Sequence, residues 1–282
     1  MIKFKTLEGI DIETLHKAFL NAFKDYQVNM EIPLSKFNDL LISRGYNSEI
    51  SMGAFENGDL IGFVFNGLRK WNEKPTAYDT GTGVISEYRK QGITSNLILN
   101  IKDLLKSKGI HQYLLEVIKT NTNALELYKK QGFEIVREFE CYRIEKNNFE
   151  ASEDYIIFQK QIYHDDYNQF SELWDFNPSW QNSIDSIGAK KDKLYCINVK
   201  LNDEVVGYGI IDKITGDIPQ LAVHRNYRRR GIAKSIINDL IINTDSNKIS
   251  VLNVDKNSTM AHFLHNLSFE HFIDQYEMML TL

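Results

Sequence analysis

Two stretches of this chain are built alike, and together they restrict the fold to a duplicated unit. Val84-Ile85-Ser86-Glu87-Tyr88-Arg89-Lys90-Gln91-Gly92-Ile93-Thr94-Ser95 runs from an apolar segment through a basic glycine turn into a helical pattern. Val223-His224-Arg225-Asn226-Tyr227-Arg228-Arg229-Arg230-Gly231-Ile232-Ala233-Lys234-Ser235 repeats it. The surroundings repeat too. Leu60-Ile61-Gly62-Phe63 matches Val205-Val206-Gly207-Tyr208 at a shift of 145, Gly92 matches Gly231 at 139, and Gly132-Phe133 matches Ser268-Phe269 at 136. The drift falls in connections, where insertions are tolerated. A period near half of 282 residues means two similar domains rather than a solenoid, in line with one domain per ~150 residues.

Each copy reads as the same succession. In the first, Ile2–Leu7 alternates as a strand, and Ile12–Phe23 and the region from Leu34 to Gly45 have helical spacing. Ile50–Phe55 and Leu60–Gly67 form a hairpin about Asn57-Gly58, a pair suited to a tight turn. Leu68–Pro75 reads as a polar connector, Thr76–Ile85 as a strand, Ile93–Lys108 as a helix stopped by Gly109, and Tyr113–Ile118 as a buried strand. A short helix over Asn123–Gln131 and the strands of Phe133–Ile144 close the copy. The polar stretch Asn147–Ser152 breaks the pattern, so the division falls at 1–148 and 149–282. The second copy repeats a strand (Tyr155–Ile162), helices (Tyr167–Trp174, Gln181–Ile187), a hairpin (Leu194–Val199, Val205–Ile211) and a strand (Pro219–Val223). A helix (Ile232–Ile242), a strand (Ile249–Val254), a helix (Thr259–Leu267) and a last strand (His271–Leu280) follow.

Charge and composition narrow the function. With 25% charged and 43% hydrophobic residues the chain is ordinary for a globular protein, and its net charge of -5 gives no general reason to expect nucleic-acid binding. The two basic turns are therefore local features. The N–H groups of a turn entering a helix lack intrahelical acceptors and form an anion cradle, to which Arg89, Lys90, Arg228, Arg229 and Arg230 add charge. Cys141 and Cys196 lie far apart in apolar surroundings and read as buried thiols. His262 and His265 lack companions at metal-ligand spacing, so no metal is expected. No apolar run approaches ~18 residues, and Met1–Glu8 does not read as a leader, so the expectation is a cytoplasmic protein that does not enter membranes.

This order of elements resembles the GNAT superfamily of acyl-CoA-dependent N-acyltransferases, twice over, across nearly the whole chain. The family's turn is Arg or Gln, two residues, Gly, one residue, then Gly or Ala. Arg228-Arg229-Arg230-Gly231-Ile232-Ala233 fits throughout, and Arg89-Lys90-Gln91-Gly92-Ile93-Thr94 fits except at Thr94. Asn121, Ala124, Leu127-Tyr128 and Gly132-Phe133 match the family's later motif. The resemblance implies an α/β (α+β) fold of two GNAT-like domains. Each would hold a central mixed, mostly antiparallel sheet flanked by helices, with a splayed strand pair receiving acetyl-CoA.

The implied reaction carries an acetyl group from acetyl-CoA to a primary amine. Gly92 to Ser95 (Ile93 and Thr94 between them) and Gly231 to Ser235 (through Ile232, Ala233 and Lys234) would hold the pyrophosphate with Gln91 and the basic residues. Gly83-Val84 and Ala222-Val223 would meet the pantetheine arm, and Asn121 is a further cofactor-binding candidate. Tyr128 falls where family members place a general-acid tyrosine. Glu116, twelve residues earlier, is similar to the base of the ribosomal-protein alanine N-acetyltransferases, and Asp79 is a second carboxylate candidate. Tyr26, Asp25, Arg69, Trp71 and Asp79 fall where acceptors bind in the family, and the acceptor would be a small-molecule or peptide amine. In the second copy Leu264, or His265 after a one-residue slip, takes the tyrosine's place and Asn253 that of Glu116. That domain would be a CoA site or a degenerate copy. The other classes left open are a CoA-binding protein without turnover and a tandem GNAT-like enzyme that moves aminoacyl groups from tRNA.

Overall fold

The computed structural model describes every residue except 27, 29, 151–158, 163–166 and 203, and says nothing of the side chains of 159–162, 167 and 168. The chain separates into two compact units, Met1–Val136 with Tyr276–Leu282, and Arg137–Gln275.

The first unit opens with β1 (Lys3–Thr6), α1 (Ile12–Phe23) and α2 (Leu34–Ser43). Asp11 starts α1 by accepting the Thr14 N–H at 2.7 Å, satisfying one of the helix's orphan donors. β2 (Met52–Glu56) and β3 (Asp59–Trp71) turn through Asn57 and Gly58, both at positive φ, the conformation that suits the twist of a two-residue hairpin. β4 (Lys74–Val84) follows β3 directly. Leu68–Pro75 is thus no connector: Leu68 pairs with Ala77 and Trp71 with Lys74 across a turn at Asn72 and Glu73. Pairing satisfies the backbone there even though the side chains are mostly polar.

Then come α3 (Ile93–Ser107), β5 (Gln112–Ile118) and α4 (Thr122–Lys130). The strand order is β1-β2-β3-β4-β5, with β4 and β5 parallel and the earlier pairs antiparallel. Beside β5 lies the end of the chain's last strand, whose Met278 and Leu280 pack with Leu97, Ile98, Ile101 and Leu105 of α3. On the opposite face, Leu15, Phe19 and Phe37 of α1 and α2 cover Phe63 and Phe65. Burying each such side chain contributes about 1.5–3 kcal/mol.

The second unit contains β6 from Arg137 onward (β6 spans Glu134–Glu145), β7 (Gln159–Ile162), α5 (Ile184–Gly188), β8 (Leu194–Leu201), β9 (Glu204–Asp212) and β10 (Gln220–Val223). These are followed by α6 (Ile232–Ile242), β11 (Lys248–Asp255), α7 (Met260–Asn266) and the first half of β12 (Glu270–Thr281). Residues 155–158, expected as strand, lie outside the described residues, while β7 continues that reading. Tyr167–Leu173 is a 3-10 turn rather than an α-helix, and the helix expected at Gln181–Ile187 shortens to α5. β10-β9-β8-β7 form an antiparallel sheet, and β11 pairs with β6 from Phe139 to Glu145. One face is closed by α6 and α7, with Ile236, Leu240 and Leu264 in the core, and the other by Phe170, Leu173 and Ile187.

The two units therefore differ from a cut at residue 148 at the edges. β6 passes into the second unit at Arg137, and β12 passes into the first at Tyr276. Alternation along these strands is the same whichever sheet receives them, so the sequence pattern carries no mark of the exchange.

Candidate active site

The site of the first unit begins with a fault in β4. Asn66 pairs with Asp79 but Phe65 with Gly81, so Thr80 is an extra residue, a β-bulge, and the Thr80 hydroxyl donates to Phe65 O at 3.1 Å. β5 follows β4 only from Thr76 to Asp79, so from Thr80 to Val84 that edge of β4 is without β5 pairing. Asp79 sits where the two strands part. The bulge lets its carboxylate gather three donors: the Gly81 N–H at 2.9 Å, the Thr82 hydroxyl at 2.6 Å and the Tyr128 hydroxyl at 3.1 Å. Thr82 was not foreseen from sequence, because strict alternation puts residues three apart on opposite faces.

Tyr128 is delivered by α4. Asn121 caps this helix, its Oδ1 accepting the Ala124 N–H at 3.2 Å, and its Nδ2 donates to the Tyr26 hydroxyl at 3.4 Å. Both members of the Asp79–Tyr128 pair are buried. Loss of solvent raises the Asp79 pKa to about 6, against the downward pull of its hydrogen bonds. Burial and the Asp79 charge raise Tyr128 well above the ordinary phenol value, so its proton is retained at neutral pH.

Glu116 is not part of this pair. Asp79 is in register with Leu115, which packs in the same cluster as Tyr128, so the next residue on β5 faces the other side of the sheet. Its charge acts there on the buried Tyr78. Trp71 is also apart: it lies five residues beyond Asn66 along β3, about 17 Å at ~3.3 Å per residue. Arg69 donates to Ser43 O at 2.6 Å and so ties β3 to the end of α2.

The glycine turn is an anion nest with its arginine facing away. Lys90 and Gly92 both have positive φ, 61° and 76°, and Gly92 caps α3 without a side chain. The α3 ladder starts with Asn96 N–H to Gly92 O at 3.0 Å, so the N–H groups of Gly92, Ile93, Thr94 and Ser95 precede its first bond. Arg89 instead braces the turn from behind. Its Nε donates to Val84 O at 3.0 Å, Nη2 to Ala22 O at 2.8 Å, and both terminal nitrogens reach Asp25, at 2.5 and 2.6 Å. Asp25, expected near the acceptor, is thus the partner of this arginine. Gly83 allows α1 to close on the sheet, since a Cβ there would stand 2.7 Å from Phe63 and 2.8 Å from Ala22.

The second unit copies the turn and alters the chemistry. Arg229 and Gly231 have φ of 60° and 78°, and Arg228 Nε donates to Val223 O at 2.9 Å while Nη2 reaches Asp175 at 2.7 Å. Arg230 lies over the Tyr227 ring, 5.3 Å from its centroid. Hydrogen bonding settles the tyrosine's counterpart: Phe133 N–H donates to Tyr128 O at 3.0 Å, and Phe269 N–H donates to Leu264 O at 3.1 Å. The position is Leu264, not His265. Asp79 lies five residues before Val84, and Ile218 five before Val223. The acid–phenol pair of the first unit is therefore an isoleucine–leucine pair in the second, both buried. Asn253 is engaged elsewhere, with Nδ2 donating to Ser179 Oγ at 2.9 Å and Oδ1 accepting from Gln275 Nε2 at 2.9 Å.

Among the described residues a bridge of Asp217 with Ser250 joins the segment before β10 to β11, and past it β10 and β11 part around a cavity of about 740 Å³. Ala222, Val223, Arg228, Arg229, Gly231, Ile232, Ala233 and Lys234 of the predicted CoA site line it, together with Trp174, Phe176, Tyr208 and Leu221. Trp174 packs against the cluster of Phe170, Leu173 and Ile187. Its indole N–H donates to Tyr208 at 2.6 Å, and Tyr208 donates to Gln220 at 2.7 Å.

Comparison with known proteins agrees with this duplication. A family model described as the acetyltransferase (GNAT) family matches residues 13–133 and again 159–269. N-alpha-acetyltransferase 60 of Xenopus tropicalis is 33% identical over 81 residues, 28% of this chain and 31% of that protein. The probable N-acetyltransferase san of Drosophila melanogaster is 30% identical over 120 residues, 39% of this chain and 65% of that protein. The chain thus spans less than two thirds of these relatives. A tandem GNAT protein from the clavulanic acid biosynthesis pathway has a similar fold, with a TM-score of 0.74 at 12% identity, covering 100% of this chain and 98% of that one.

Proposed function

We propose, from the premise that this chain belongs to the GNAT acetyltransferase family and carries its fold twice, that the first unit transfers an acetyl group from acetyl-CoA to a primary amine and the second binds a CoA thioester without turnover. The observation that carries this is the Asp79–Tyr128 hydrogen bond at the parting of β4 and β5, replaced in the second unit by Ile218 and Leu264.

The first unit supplies each requirement of the reaction. Gly92 to Ser95 offer N–H groups to a pyrophosphate, and the edge of β4 from Thr80 to Val84 can pair with the amides of a pantetheine arm. Once the amine attacks the thioester carbonyl, the nitrogen must lose a proton and the sulfur gain one. Tyr128 is the donor to sulfur. Asp79, ionised above about pH 6, fixes the phenol by accepting its hydrogen bond, and the phenolate left by the transfer takes its proton back from solvent, to which Glu116 gives up the proton it gained. Glu116, on the other face of the sheet, takes the proton from the amine, so acid and base do not neutralise one another. No proton is gained or lost over the cycle. The nest and the edge of β10 support CoA binding by the second unit, while Leu264 has no proton to give.

The test is acetyl-CoA turnover across a panel of amines with calorimetric binding in parallel. Tyr128→Phe should lower kcat about 10²- to 10⁴-fold, the usual worth of a positioned acid, and leave acetyl-CoA affinity within about twofold. Undiminished turnover in that variant would remove Tyr128 from the chemistry.

A further inference from the structure

The reading of the second unit as a site without turnover leaves its ligand open, and the cavity between β10 and β11 bears on that question. Resting on that reading, we infer that the second unit holds a CoA thioester whose acyl group is longer than acetyl, with the acyl chain passing between β10 and β11 into an aromatic compartment.

Three observations lead there. The cavity reaches both sides of the sheet. Ile232 and Val251 belong to the cluster under α6 and α7, whereas Tyr208 and Ala222 belong to the cluster on the opposite face, and all four line the same space. Its walls differ in chemistry. One is the turn at Arg229–Lys234, with its left-handed Arg229 and Gly231, suited to phosphate oxygens. Another is formed by Leu173, Trp174, Phe176 and Pro178, with Asp175 among them ion-paired to Arg228 of the turn. The second unit is also hydrocarbon where the first has its acid–phenol pair. Ile218 lines the cavity where the first unit has Asp79, and Leu264 fills the place of Tyr128.

A ligand matched to this space carries an anionic group for the turn and an apolar chain for Ile218, Leu173 and Trp174. In the first unit the corresponding point presents a carboxylate and a phenol, which burying methylenes would strip of solvent at a cost. In the second, that point presents Ile218 and Leu264 instead. Leu264 gives no proton where the first unit has Tyr128, consistent with retention rather than transfer.

The experiment titrates the full-length chain with CoA, acetyl-, butyryl-, hexanoyl- and octanoyl-CoA and with free octanoate. Calorimetry gives affinity and native mass spectrometry gives stoichiometry. Two equivalents should bind. At one, affinity should climb by up to about fourfold per added methylene until the space is filled, with hexanoyl-CoA at least about tenfold tighter than acetyl-CoA. Phe176→Asp, a half-exposed position, should abolish that climb, and Phe176→Leu should keep it.

A flat series would overturn the proposal. So would octanoate binding as tightly as octanoyl-CoA, which would make the turn irrelevant and the ligand a free fatty acid. CoA release from hexanoyl-CoA that survives Tyr128→Phe would show turnover by the second unit. Acetyl-CoA turnover in the same preparations reports on the first unit separately, so the two readings can fail independently.

Discussion

Replacing Asp79 by asparagine should make the protein more stable and less active, and the pH range of the first effect can be worked out. The carboxyl is buried, and its pKa rises from 3.8 to about 6. A raised carboxyl pKa means that the folded state holds the proton more tightly than the unfolded chain. Between about pH 4 and pH 6 the folded state is therefore the more protonated one, and stability falls as pH rises. Below about pH 4 both states are protonated and the deficit vanishes. Above about pH 6 it is complete. Two decades of acidity at ~1.4 kcal/mol each amount to about 3 kcal/mol. Asparagine recovers only part of this, because its NH₂ replaces the oxygen that accepts from Thr82 and Tyr128, and those hydroxyls must turn round. Urea denaturation at pH 4.0, 5.0, 6.0 and 7.5 is the assay. The stability of Asp79→Asn relative to wild type should rise by about 1–3 kcal/mol from the lowest pH to the highest. Wild-type kcat/KM should climb through an apparent pKa of about 6, a limb absent from the variant. A stability difference that does not change with pH would refute the argument, since burial would then not be charging a cost to the ionised carboxylate.

Two further expectations follow from packing and bracing. If Arg89 acts by holding the turn to Asp25, then Arg89→Ala and Asp25→Asn should each raise the KM for acetyl-CoA, and the double variant should be no worse than Arg89→Ala. A direct phosphate contact by Arg89 would instead leave Asp25→Asn close to wild type. Met278→Ala should cost the first unit about 2–5 kcal/mol through the cavity it leaves, because Met278 is fully buried in the core under α3. Chemical denaturation followed through Trp71, in a Trp174→Phe/Trp180→Phe background, reads that loss.

Much of this architecture is local and therefore legible. The α3 and α6 helices show their buried faces as Leu97, Ile98, Ile101 and Ile236, Ile237, Leu240, at helical spacing. The two turns are legible because a glycine between a basic residue and a helix has few alternatives. What stayed hidden depends on partners far away in the chain. The positive charge of Arg89 is plain in sequence, but its engagement by Asp25, 64 residues away, is not. Asp79 and Tyr128 were separate candidates, and only the bulge at Thr80 and the docking of α4 bring them together across 49 residues. Glu116 stood beside Tyr128 in the reading of the motif, but its position one residue past Leu115 turns it to the other face. The length of the β3–β4 hairpin was hidden because Leu68–Pro75 carries few of the residues that mark strands, and because Asn72 and Glu73 make its turn without glycine.

The passage of β12 into the first unit also bears on biosynthesis. The segment that completes that unit begins at Tyr276, 140 residues after Val136. Ribosomes add ~5–20 residues per second, so the emerging first half waits roughly 7–30 s for Met278 and Leu280. During that interval the edge of β5 and the underside of α3 are without their final cover, while the whole second half is made. The order of synthesis and the order of completion are therefore opposite in this chain: the half that leaves the ribosome first is the last to be finished.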